Sequence, residues 1–420
     1  MSNTTPICVT VAALLIASSH ALAGAPTAHK VNLHNGTVST IKLYENQPTS
    51  PLGMTVAAGD VDGDGVADFT TIEHWGDPHE NTSGVVVRGW DYTVKGVASP
   101  PDAQLYQPGS VKTGAYLDEL FQNKRVVAVA SGANSPRRVH SWAWVDGPEG
   151  EMPSGLGNVM TNEPFDSSFD SSLSVAIDTF SRDGYALVVA GQRSQNNEGH
   201  VTVLKRGDDV PKHTFAVTEN TFGAGVQVAV GDVDGDLKSD IVTLSLGELD
   251  EQSVQLDLPG IGVACYDLKV FSSSTGLMKA KEKASRPTIQ RLVDASGQLT
   301  GRVAAGDVDG DGRAEIVVTS AGWSGPLCDY YDLNLSSDGT SLVFGPRQTL
   351  DLSVIPEFSE WDQNTILQPS FSSLPFGDES QAPDALSTGS LVFSTVAVPE
   401  PTTLMALGGI GAMALRRRCR

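Results

Sequence analysis

Basic residues are scarce in this chain: 28 Lys and Arg stand against 50 Asp and Glu in 420 residues, a formal charge of −22 at pH 7. So acidic a protein lacks the basic face that nucleic-acid phosphates demand. It is likewise repelled by anionic membrane surfaces. Long apolar runs are missing too. The first, Ile7 to Ala17, is short, and the last, within Thr402 to Leu415, spans 14 residues. As a helix that last segment reaches about 21 Å, short of a bilayer core of about 30 Å. Signatures of catalysis are also lacking: there is no nucleophile elbow, phosphate-binding Gly loop or cysteine–histidine set.

Cysteine is limited to four residues, of which Cys8 lies in the leading apolar run and Cys419 in the tail. Cys265 and Cys328 remain, in the related contexts Cys-Tyr-Asp-Leu and Cys-Asp-Tyr-Tyr-Asp-Leu, and so in similar places of neighbouring repeats. Export permits a disulfide between them if their Cα atoms come within about 7 Å.

What is plentiful is turn chemistry. Gly (43) and Pro (23) punctuate stretches rich in β-formers, while charged residues are only 19%. This composition describes a turn-rich all-β protein of one large domain or two ordinary ones.

One phrase recurs in it. Gly59-Asp60-Val61-Asp62-Gly63-Asp64-Gly65 leads to Asp68, Gly231-Asp232-Val233-Asp234-Gly235-Asp236 to Asp240, and Gly306-Asp307-Val308-Asp309-Gly310-Asp311-Gly312 to Glu315. Carboxylates at positions 1, 3, 5 and 9 of a tight loop turn inward around one point, where they repel unless a cation lies between them. A hard ion taking many oxygen ligands fits, and calcium is the usual one, giving about three sites. A solvated acidic turn explains one copy, but three copies in one frame favour the ion.

Degenerate copies lie between them. Tyr116-Leu117-Asp118 leads to Arg125 through Val129, Val175-Ala176-Ile177-Asp178 to Leu187 through Ala190, and Phe376-Gly377-Asp378 to Pro383-Asp384-Ala385-Leu386. The anchors 60, 118, 178, 232, 307 and 378 are spaced by 58, 60, 54, 75 and 71. A period near 60 with about four short strands per repeat predicts a β-propeller of four-stranded antiparallel blades. In repeat one the strands are expected at Thr55–Ala58, Phe69–Glu73, Gly84–Trp90 and Tyr92–Val97. In repeat five they are expected at Arg302–Ala305, Ile316–Ser320, Asp332–Leu335 and Leu342–Phe344, and Leu246 to Gly262 reads as an insertion in repeat four. The sixth copy ends after Gly389 to Val396 with only its inner strands. An N-terminal hairpin, Lys30–Leu33 and Ser39–Leu43, is expected to supply the outer two and close the ring. Six blades follow from this count, or seven if the insertions hide one.

These loops resemble the FG-GAP or VCBS repeats whose best-known relatives are the integrin α-subunit propellers, over roughly residues 30 to 396. The resemblance implies calcium ligands at Asp60, Asp62, Asp64 and Asp68; Asp232, Asp234, Asp236 and Asp240; and Asp307, Asp309, Asp311 and Glu315. Backbone carbonyls of Val66, Lys238 and Arg313 would complete the shells. Leu237 replaces a Gly at the sharp turn and Glu315 replaces the final Asp, so the Asp60 site is expected to bind best. The copies at 118 and 178 are expected to be metal-free.

The termini carry processing signals. Residues 1–23 combine the apolar run with Ala21-Leu22-Ala23, a small-x-small cleavage pattern, although no Lys or Arg precedes it. Residues 398–420 join Val398-Pro399-Glu400-Pro401 to an apolar stretch and a cluster of four Arg. That order closely resembles the PEP-CTERM sorting signal of Gram-negative bacteria. The resemblance implies recognition and removal by an exosortase, with the membrane touched only transiently through the tail. Residues 24–397 would then form the propeller, exported to the periplasm, cell surface or extracellular matrix.

The His-bearing stretch Glu73-His74-Trp75-Gly76-Asp77-Pro78-His79-Glu80 does not match the His-Glu-x-x-His zinc pattern and reads as a solvated loop. Arg206-Gly207-Asp208 spells an integrin-recognised tripeptide but occupies an ordinary strand-to-turn position. Trp75 and Trp323 follow Asp68 and Glu315 by seven and eight residues, in loops on the face opposite the acidic ones. With His74 and Asp77 they form the candidate ligand face, where aromatics could stack on sugar; packing within the propeller is the plainer explanation. The function expected is a non-catalytic surface or matrix protein that associates with exopolysaccharide or a surface protein. A polysaccharide lyase or hydrolase on the same propeller is the alternative, and would need titratable groups converging on one face. A structural matrix component without a specific ligand is the third reading.

Overall fold

The computed structural model describes residues 27–396 except 33–37, 43–55, 76–81, 90–93, 99–110, 118–122, 132–136, 147–154, 171, 180, 249–263, 285–289, 294–296, 308–310, 323, 338–340, 356–365 and 373–389. The regular structure among them is strand, apart from one 3₁₀ turn at Leu352–Val354.

In chain order, β1 (Thr27–Asn32) and β2 (Val38–Lys42) form a hairpin. β3 (Val56–Gly59), β4 (Asp68–Trp75), β5 (Thr82–Arg88) and β6 (Val94–Ala98) build the first antiparallel meander. β7 (Val111–Leu117), β8 (Asn123–Ala130), β9 (Val139–Val145) and β10 (Gly155–Asn162) build the second. β11 (Ser174–Ile177), β12 (Leu187–Gln192), β13 (Gly199–Leu204) and β14 (His213–Thr218) follow. The fourth consists of β15 (Val226–Gly231), β16 (Asp240–Glu248), β17 (Ala264–Ser272) and β18 (Met278–Lys283).

The next sheet departs from the pattern. β19 (Gln290–Arg291) and β20 (Arg302–Gly306) both pair with β21 (Glu315–Gly322), which pairs with β22 (Leu327–Tyr331), and β22 with β25 (Gln348–Thr349). β23 (Leu333–Leu335) and β24 (Leu342–Phe344) form a separate hairpin. The third and fourth strands expected at Asp332–Leu335 and Leu342–Phe344 are therefore corrected. That segment is a separate two-stranded hairpin, and the ladder continues through β22 and β25.

β26 (Ile366–Ser372) and β27 (Ser390–Val396) are the last strands among the described residues, and β1 pairs with β27, giving the order β2-β1-β27-β26. The expected closure by the N-terminal hairpin is thus present, with Ala28 opposite Ser394 and Val31 opposite Leu391. It removes the free edge that β27 would otherwise expose. The innermost strands pack in a circle: β3 on β7, β7 on β11, β11 on β15, β15 on β20, β20 on β26, and β26 back on β3. This is an all-β propeller. Among the described residues regular four-stranded sheets number five, one fewer than the six four-stranded blades expected, because the sheet of β19 to β25 has five strands.

The sheets hold together through apolar layers between them, which period-two alternation creates. Along β8, Val127 and Val129 face the first sheet, where they join Ala57, Ile72, Val85 and Val87. Val126 and Ala128 face the third, where they join Val175, Leu187, Val189 and Leu204. Both faces are buried, so the strand reads as a continuous apolar run rather than an alternation. Each fully buried Val or Leu contributes about 1.5–3 kcal/mol. The glycine before each acidic loop has a packing cause. A Cβ on Gly59 would stand 2.6 Å from Thr113 Oγ1, and one on Gly231 2.9 Å from Ala314 Cβ. On Gly306 it would strike the Phe371 ring. The neighbouring sheet approaches too closely there for any side chain.

Candidate functional site

Each acidic loop runs from the end of an innermost strand to the next strand: 60–67 from β3 to β4, 232–239 from β15 to β16, and 307–314 from β20 to β21. Equivalent placement in three sheets brings the loops out on one side of the ring.

The aspartates first build the loops themselves. At position 1, Asp60 Oδ2 accepts from the Gly65 N–H at 3.3 Å, Asp232 Oδ2 from Leu237 at 2.8 Å, and Asp307 Oδ2 from Gly312 at 3.0 Å. At position 5, Asp64, Asp236 and Asp311 accept from the backbone N–H of Val66, Lys238 and Arg313 at 2.8–2.9 Å. Such side-chain caps fix a turn without a helix or ladder. Val61 and Val233, both 1% exposed, anchor the loops to the core.

Within this frame the carboxylates converge. Oxygens of Asp60, Asp62 and Asp68 lie within 4.8 Å of one another, as do those of Asp232, Asp234 and Asp240. Hard oxygen donors so grouped could hold a metal ion. Positions 1, 3 and 9 make up each group; Asp64 and Asp236, expected as ligands, fall outside it, their Oδ1 atoms turned to the backbone. In the third loop Asp309 lies outside the described residues, Asp311 pairs with Arg313 at 2.9 Å, and Glu315 is 4% exposed.

Two lysines that sequence reasoning missed complete the picture. Lys95 Nζ stands 2.7 Å from Asp62, 2.8 Å from Asp64 and 2.8 Å from Asp68. Lys279 Nζ stands 2.6 Å from both Asp234 and Asp240. Each lysine belongs to the outermost strand of its sheet, 27 and 39 residues after the position-9 aspartate, and this unequal spacing hid their equivalence in the sequence. Asp68 and Asp240 are fully buried. Burial pushes their carboxyls up to about 6 and about 7, against the lowering pull of the lysines. Burial also acts to lower Lys95 and Lys279, but the surrounding carboxylates outweigh it and hold both above the ordinary lysine value.

The degenerate loops differ. Asp178 accepts from Ser239 Oγ of the neighbouring acidic loop, and Asp183 pairs with Lys212 at 2.7 Å. Asp118 lies outside the described residues.

On the opposite side, β4 extends through His74 and Trp75, which pair with Ser83 and Thr82, so these two belong to a strand and not to the expected loop. Asp77 and Trp323 lie outside the described residues. The possible disulfide is corrected: Cys265 and Cys328 are buried and not bonded to each other, lying in β17 and β22, the third strands of two different sheets. Cys265 points at the Gly247 carbonyl, while Cys328 packs with Leu352, Ile355 and Leu367. Arg206 donates to Ser141 Oγ at 3.0 Å, and the Gly207 N–H donates to Asn162, which ties the Arg-Gly-Asp tripeptide into the adjacent sheet.

Residues 300–344, which include the third acidic loop, match the FG-GAP repeat, and residues 397–420 match the PEP-CTERM protein-sorting motif. The chain therefore carries an FG-GAP repeat on a β-propeller and an export-sorting signal. That signal implies processing of the C-terminus by the exosortase system and export to the cell envelope or surface of a Gram-negative bacterium. No curated protein matches the sequence. Among solved structures, Penicillium chrysogenum α-L-arabinanase complexed with arabinobiose is similar at 9% identity, covering 84% of this chain and 95% of that one, with a TM-score of 0.42. A mutant Aleuria aurantia lectin in complex with Fucα1-6GlcNAc is similar at 11% identity over 74% of this chain and 85% of that one, with a TM-score of 0.39. Identities this low concern the fold alone.

Proposed function

We propose that this is an exported, calcium-binding propeller that acts without catalysis at the cell surface or in the extracellular matrix, where it associates with exopolysaccharide or a surface protein. The observation that carries the calcium reading is the convergence of Asp60, Asp62 and Asp68, repeated by Asp232, Asp234 and Asp240. Oxygen-only donor sets on a short flexible loop suit calcium better than the softer transition metals. The carbonyls of Val66, Lys238 and Arg313 complete the shells in this reading, and Asp307, Asp309, Asp311 and Glu315 form the third site. Residues 1–23 are removed as a leader, residues 24–397 form the mature propeller, and cleavage at the sorting motif releases it. The ligand face lies opposite the calcium loops, around His74, Trp75, Asp77 and Trp323.

The test is a polysaccharide array probed with the purified protein in calcium and in chelator, while release of reducing or unsaturated ends is followed on the same polysaccharides. Retention without cleavage supports the reading, and Trp75→Ala with Trp323→Ala should weaken that retention. Cleavage overturns the non-catalytic assignment. Absence of retention on polysaccharide and on the host cell surface overturns the binding assignment.

A further inference from the structure

Lys95 and Lys279 hold their positions by the same backbone device. In the pairing of β5 with β6, Val87 faces Gly96 and Arg88 faces Val94, which leaves Lys95 as the extra, unpaired residue of a β-bulge. In the pairing of β17 with β18, Val270 faces Ala280 and Phe271 faces Met278, which leaves Lys279 in the same state. A bulge redirects the side chain it carries, and it recurs here at the two places where an outer strand passes an acidic loop. Each ammonium lands among the carboxylates of its loop, one of them fully buried, at 2.6–2.8 Å. The second loop also keeps Asp240 Oδ2 buried without a partner.

We propose that Lys95 and Lys279 are built-in counter-ions that occupy the cation positions of the first two loops and compete with the metal for them. The inference rests on the calcium reading above. A divalent ion coordinated by Asp62 and Asp68, or by Asp234 and Asp240, needs the oxygens that the ammonium now engages. The lysine must therefore withdraw before the ion enters. Two consequences follow. The metal-free protein stays folded because like charges are neutralised internally. Calcium affinity is weakened by the fraction of molecules in which the lysine has withdrawn. The loop that reads as the best site in sequence and the second loop with it are thereby held in reserve for high calcium.

The test is calorimetric titration of the full chain with calcium, together with thermal melts in chelator and in saturating calcium, for wild type, Lys95→Met and Lys279→Met. Each substitution keeps the apolar stem and removes the ammonium. The expected result is about tenfold or greater tightening of one calcium site per substitution, with a lower melting point in chelator and no loss in saturating calcium. Should a variant fail to fold in chelator yet fold on calcium addition, the proposal stands. Unchanged affinity in both variants, with wild type binding calcium, overturns the counter-ion role and leaves the calcium reading intact. No calcium binding by wild type or either variant overturns both. A melting point lowered equally in chelator and in calcium reveals a merely structural lysine and overturns the competition.

Discussion

Leu237 stands at the same step of its loop as Gly65 does in the first, and both adopt the left-handed backbone, with φ of 61° and 84°. Each donates its N–H to the position-1 aspartate, Leu237 to Asp232 and Gly65 to Asp60. The frame of the loop imposes the conformation, and a side chain pays about 1–2 kcal/mol for it. Leu237 is 76% exposed, so its side chain recovers little by packing.

Leu237→Gly should therefore stabilise the protein. The strain relieved exceeds the extra chain entropy that glycine adds to the unfolded state, about 0.4–1 kcal/mol, leaving a gain of about 0.5–1 kcal/mol. A thermal melt in chelator should show a higher midpoint, with Leu237→Ala giving none. A fall in midpoint for the glycine variant would mean that the leucine packs usefully after all.

Calcium should stabilise the fold. Extracellular sites commonly bind at about 10⁻⁴ to 10⁻³ M, so millimolar calcium contributes roughly 1 kcal/mol per site. The melting midpoint should rise from chelator to calcium, and Asp68→Asn with Asp240→Asn should abolish most of that rise. Identical midpoints in both buffers would refute calcium binding by these loops.

Much of this fold was legible because its signals are local and repeated. The Gly-Asp-x-Asp phrase marks the turn between the first and second strands, and the spacing of its degenerate copies gives the ring. The closing hairpin follows from the chain running out of strands after Gly389–Val396, with none left for the outer edge. The hairpin β23–β24 was misread because Leu333–Leu335 and Leu342–Phe344 have strand composition whichever neighbour they pair with; only tertiary pairing assigns them. Lys95 and Lys279 escaped notice for a related reason. Their role depends on a bulge, which is a matter of register, and on an insertion that makes their spacings unequal. The position-5 aspartates show a further use of the phrase: one oxygen of each caps its own backbone, a hydrogen bond that spacing alone does not announce.

Lys112, on β7, is a candidate destabilising charge. Its side chain is half-buried, and the water it loses lowers its pKa to about 8. The ordinary value of 10.5 applies to the unfolded chain. Between about pH 8 and 10.5 the unfolded state binds more protons, so this group's penalty is full below pH 8 and is relieved as pH rises through that window. Lys112→Met should raise the melting midpoint at pH 7, by the equivalent of about 1–2 kcal/mol, and the advantage should shrink by pH 10. An equal gain at both pH values would show that packing, not charge, is responsible.

The sorting motif predicts a defined product. Protein recovered from the surface of its native host should lack Arg416, Arg417, Arg418 and Arg420, and its C-terminal peptide should end near Pro399-Glu400-Pro401. Mass spectrometry decides this. Intact tail peptide on surface protein would contradict processing, and replacing Pro399, Glu400 and Pro401 by Ala should retain the unprocessed form in the membrane fraction.

Ring closure makes the last prediction. β1 covers β27 along five register pairs, from Ala28 opposite Ser394 to Asn32 opposite Ser390, and β2 in turn covers β1. Removing residues 27–42 would leave β27 as a bare edge, with unpaired backbone donors and acceptors that template pairing between molecules. The shortened protein should melt earlier and self-associate, as size-exclusion chromatography coupled to light scattering would show. Adding the excised segment as a peptide should restore the monomer by strand addition, since the pairing is main-chain and antiparallel. If the shortened chain stays monomeric with an unchanged melt, the hairpin is an ornament on the ring and closure comes from the inner strands alone.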